Sequence, residues 1–126
     1  MSYTQMSKVG NRYQSWMKAL SFYSEDIDIL EDRLAEVGTK NTGSEAEEGV
    51  EKFQDLFVSS QQRIYVLKQK IERFAHDLKI EVEKHAGHVD TNHIFERNEL
   101  QNAMDEFETE IATIRREFNQ FLAKWM

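Results

Sequence analysis

The chain has 126 residues, 16 Lys+Arg against 23 Asp+Glu, a formal net charge of -7 and 40% hydrophobic residues; this suits one domain with a buried core and not a disordered acidic tail. It carries no Cys, no Pro and 5 Gly, which excludes a disulfide framework, a thiol nucleophile and a Cys-ligated metal, and argues against a turn-rich all-β domain. All three thirds of the chain are net acidic with no Lys/Arg cluster, which argues against nucleic acid and anionic membranes as partners; with no apolar run of about 18 residues and no basic leader before an apolar stretch, a soluble cytoplasmic protein is expected.

The first helix is expected near residues 3–37, with ends uncertain by about 2–4 residues. Its apolar stripe reads Met6, Val9, Tyr13, Trp16, Leu20, Tyr23, Ile27, Leu30, Leu34 and Val37, stepping by alternating threes and fours. Gly10 is expected to bend or fray it, at a cost of about 1 kcal/mol against Ala. The segment Gly38–Ser44 breaks the pattern. Its Gly can stand just past a helix end in the left-handed conformation, and Ser44 with Glu47 reads as a capping box that opens the next helix.

The second helix is expected near 44–86. Its stripe is Val50, Phe53, Phe57, Ser60, Ile64, Leu67, Ile71, Phe74 and Leu78, with Glu81 next in line. Ser60 lies in the stripe with no His at its level, so its hydroxyl is expected to bond a carbonyl four residues back rather than act as a nucleophile. A second break at Gly87–Asn92 offers Asp90, Thr91 or Asn92 as a cap. The third helix is then expected near 91–125, with Arg97, Leu100, Met104, Phe107, Ile111, Ile114, Phe118, Phe121 and Trp125 as its stripe.

Three such stripes joined by short connections predict an all-α fold. The expected form is an elongated, antiparallel, up-down-up three-helix bundle with coiled-coil-like heptad packing, one domain over residues 1–126. Folding the stripes about the two breaks gives shared layers such as Leu34/Phe53/Trp125, Tyr23/Ile64/Ile114, Trp16/Ile71/Phe107 and Val9/Leu78/Leu100. The same registers bring together the two charged stripe residues, Glu81 and Arg97, as a partly buried, register-fixing ion pair. With a Trp in its first helix, the architecture is similar in shape to a single spectrin-type three-helix unit, an analogy of form and not of role.

Chemistry-bearing motifs are few. His85, His88, Asp90 and His93 cluster at the second helix turn, and imidazole with carboxylate suits Zn²⁺, Ni²⁺ or Cu²⁺; helix-end electrostatics accounts for the same residues. His76 lies on the outer face of its helix, and no Glu-x-x-His pair or Gly-rich phosphate loop occurs. No enzyme activity and no cofactor are expected. Off the stripes, Phe22, Ile29, Leu56 and Val66 are expected to form one outer apolar patch for a protein partner or a homodimer. The expected function is therefore a non-enzymatic helical-bundle interaction or scaffold protein. A small metal-binding protein, and a chaperone or adaptor, are the alternatives.

Overall fold

The computed structural model describes the backbone of residues 2–84 and 91–126 and the side chains of residues 12–84 and 92–126. Three long helices account for nearly all of it: α1 (Ser2–Lys40), α2 (Ser44–Lys84) and α3 (Thr91–Trp125). Each forms because its apolar residues recur at heptad spacing, so one stripe can be buried along the whole helix. The buried set is that stripe: Trp16, Leu20, Ile27, Leu30 and Leu34 of α1, Phe53 to Leu78 of α2, and Leu100, Met104, Phe107, Ile111 and Phe118 of α3. Each large apolar side chain so buried contributes about 1.5–3 kcal/mol. α2 packs closely against both neighbours, whereas α1 and α3 approach each other least.

The turns differ in detail from the sequence reading. α1 runs on through Gly10 and past Gly38 to Lys40, and neither Gly38 nor Gly43 takes a left-handed backbone. Asn41 ends the helix instead. Its backbone N–H donates to the Val37 carbonyl at 3.0 Å. Its side-chain Nδ2 donates to that same carbonyl at 3.1 Å and to the Trp125 carbonyl at 3.0 Å. One amide thus satisfies two helix C-termini, which makes a left-handed glycine unnecessary. The Ser44–Glu47 box does not form. Glu47 N–H donates to the Gly43 carbonyl at 3.0 Å, so Gly43 is the N-cap and Ser44 already belongs to the helix, with Glu45 and Glu47 in its first turn favouring the dipole.

The register of α1 against α2 is the expected one. Gln61 accepts from Ser24 Oγ at 2.9 Å and donates to the Ser24 carbonyl at 3.0 Å, and Lys68 donates to Ser21 Oγ at 3.1 Å. The register of α3 is not. Phe53 packs on Phe118 and Phe121, with ring centroids 5.2 and 5.1 Å apart, where Trp125 was expected. Tyr23 meets Phe107 at 5.8 Å rather than Ile114, and Trp16 lies level with Gln101 rather than Phe107. α3 has slid by one heptad, about 10 Å along its axis.

A heptad slide leaves both stripes aligned, so flanking residues decide. Gly49 leaves a notch that Phe121 fills; unshifted, Phe121 would face the bulkier Leu56. Lys52 pairs with Glu117 and Lys124 with Glu45, where the unshifted register sets Lys52 against Lys124. Arg63 pairs with Glu110 and covers the Phe107 ring.

Candidate functional site

The predicted metal cluster falls largely outside the described residues, which include only His93 of its four. The His93 ring is half-buried near Phe74, centroids 6.4 Å apart, and its Nδ1 is buried without a hydrogen-bond partner. Among the described residues no group of His, Asp or Glu is placed to hold a metal ion. The expected pairing of Glu81 with Arg97 is corrected by the slide of α3. Arg97 now stands level with Phe74, about 10 Å along the bundle from Glu81, and its Nε is buried with no hydrogen-bond partner. Ser60 behaves as expected: its Oγ donates to the Leu56 carbonyl at 2.8 Å.

The four residues of the predicted outer patch do not share a surface. Leu56 is half-buried against the core. Phe22, Ile29 and Val66 are exposed, at 58%, 56% and 46%. Residues three and four apart share a helix face, and this separates them. Phe22 and Ile29 flank Asp26, which bonds Arg115 of α3, so they border the α1/α3 seam. Val66 lies between Arg63 and Lys70 in a groove opposite Ala103, so it borders the α2/α3 seam. The expected patch assumed that α1 and α2 meet through those edges. They meet through Ser21, Ser24 and Asp28 against Gln61 and Lys68 instead.

The α1/α3 seam is the distinctive surface. Asp26 is an off-stripe residue beside buried Ile27, and its side chain is only 11% exposed. Its Oδ1 accepts from Arg115 Nη2 at 2.9 Å, and its Oδ2 is buried with no partner. A buried carboxylate oxygen without a donor is costly. One turn away, Tyr23 lies edge-on to Phe107. Burial, and then the Glu108 carboxylate beside it, raise its pKa above the ordinary phenol value. Trp16, buried deeper, donates Nε1–H to Gln101 Oε1 at 3.0 Å, and Gln101 in turn donates to Asp105 at 2.9 Å.

The stretch of α1 that carries Asp26 is acidic in sequence, with Asp28 and Glu31 turned toward α2. Glu25, Asp26, Asp28, Glu31, Asp32 and Glu36 are met within that stretch only by Arg33. Glu31 registers the crowding: burial, then Asp28 and Asp32, raise its pKa above the usual carboxylate value. Sequence reading missed Asp26 and Arg115 because it followed the apolar stripes, and both residues lie beside a stripe and not on it. The signal open to it was the run of acids around two exposed apolar residues seven apart. Comparison with protein-family models, curated proteins and solved structures finds no match to this chain.

Proposed function

We propose that this protein is a non-catalytic helical interaction module that works through a wall of its bundle. The observation that supports this reading is the pairing of Phe22 and Ile29, each more than half exposed, on the seam where α1 and α3 pack least. Large apolar side chains that a filled core leaves outside on one helix face are characteristic of surfaces that another chain covers. The described core is filled by stripe residues, and its one buried polar residue, Ser60, spends its hydroxyl on its own helix.

The test is affinity capture from the source cell with wild type and Phe22→Glu, followed by cross-linking mass spectrometry. A saturable partner is expected, cross-linked near Lys18, one turn from Phe22, and lost with Phe22→Glu. Light scattering on the purified chain shows whether that partner is a second copy. Capture that no substitution at Phe22, Ile29 or Val66 weakens would overturn the reading.

A further inference from the structure

We propose that α3 is a sliding helix: the bundle has two registers, the one described above and a minor one with α3 a heptad back, and the choice between them opens or closes the groove at Val66. This goes beyond the interaction-module reading and does not depend on it. The core stripes do not choose, because they meet again after a shift of seven. The edge charges repeat with the same period. Arg63 and Lys70 of α2 are seven apart, and so are Glu110 and Glu117 of α3. In the register described, Arg63 meets Glu110 and Lys52 meets Glu117. One heptad back, Arg63 meets Glu117 and Lys70 meets Glu110. Arg97, whose Nε is now buried without a hydrogen-bond partner, comes level with the opposite charge of Glu81.

Little else holds α3 in place. The partners in Lys52–Glu117, Arg63–Glu110 and Lys124–Glu45 are each at least 40% exposed, and exposed pairs are worth little. α1 packs least against α3. Two features favour the register described. Phe121 fills the notch at Gly49, and Lys52 stands clear of Lys124, which it would face one heptad back. The six residues between Lys84 and Thr91 can span about 20 Å, enough for either register.

The slide remakes the α2/α3 wall. In the register described, Ala103 stands across from Val66 and Leu67, between Arg63 and Lys70, and its small side chain leaves a groove. One heptad back, Glu110 takes the place of Ala103 and its carboxylate meets Lys70 beside Val66. The wall is apolar and open in one register, charged and filled in the other.

The chain has no Cys, so Asp55→Cys with Asn98→Cys provides two exposed spin-label sites, one on α2 and one on α3. Double electron–electron resonance on the full chain reads their separation, which the slide lengthens by about 10 Å. Wild type is expected to show the shorter distance, with the longer one in about 10% of molecules or fewer. Gly49→Ala fills the notch and should raise the ratio of long to short about tenfold. Lys52→Glu is an exposed change that puts like charges together at Glu117 in the register described, and opposite charges together at Lys124 one heptad back. It should raise the ratio at least about threefold, and with both substitutions the longer distance should dominate. Gly38→Ala, whose methyl meets only Val50, should leave the ratio within about twofold.

A single short distance in the variant carrying both Gly49→Ala and Lys52→Glu overturns the proposal. So does an equal rise with Gly38→Ala, which would mark general loosening and not a slide. If the double variant loses its helical circular dichroism, Lys52→Glu alone decides, and no growth of the longer distance in it overturns the proposal.

Discussion

The ring of Phe121 occupies the space where Gly49 lacks a side chain, so α3 crosses α2 there with no room for a Cβ. Gly49→Ala gains about 1 kcal/mol of helix propensity, but it drives a methyl into an aromatic ring packed on Phe53 and Phe118. Overpacking of this kind costs about 1–3 kcal/mol, so urea denaturation should show net destabilisation. Gly38→Ala is the control. Its Cβ would meet only Val50, at an ordinary 4.0 Å, and it should stabilise by roughly 0.5–1 kcal/mol.

Trp16 and Gln101 report the register of α3. A double-mutant cycle of Trp16→Phe with Gln101→Ala should give a coupling of about 0.5–1.5 kcal/mol, the worth of one hydrogen bond. The cycle of Trp16→Phe with Phe107→Leu should give under about 0.5 kcal/mol, as for residues out of contact. The reverse ranking would place α3 one heptad back, in the unshifted register.

Arg97 occupies a heptad core position with its Nε buried and unbonded. Replacing such a cation by an apolar side chain of similar length removes a desolvation cost. Arg97→Met should therefore leave Tm unchanged or raise it, by up to a few degrees. A clear fall in Tm on thermal scanning would show that its guanidinium makes bonds the fold needs.

Two groups predict how stability responds to pH. The Tyr23 phenol has its pKa raised by burial and by Glu108. The fold therefore favours its protonated form, and its contribution is lost as pH rises above the ordinary phenol value. Tyr23→Phe should flatten that alkaline decline in Tm. Glu31, also raised, is disfavoured in its charged form, so it costs stability at neutral pH and nothing once protonated. Glu31→Gln should raise Tm at pH 7, and the gain should vanish as pH falls below the carboxylate range.

What the sequence by itself determined is the helical class, the stripes and the pairing of α1 with α2. Heptad spacing dictates which face of each helix leaves water, and the short connection at Asn41–Gly43 leaves α2 one place to fold back. Ser60 was legible for the same local reason, its partner being four residues away on its own helix. The tertiary structure alone decided the height of α3. A stripe that repeats every seven residues fits its neighbour equally well after sliding by seven, so stripe burial is nearly the same in either position. The choice falls to features off the stripe, the notch at Gly49 and the pairing of Lys52 with Glu117 and Lys124 with Glu45. That slide separates Arg97 from Glu81, and brings Gln101 to Trp16 and Phe107 to Tyr23. The contacts that Trp16 and Tyr23 make with α3 are thus a consequence of register that no single helix encodes.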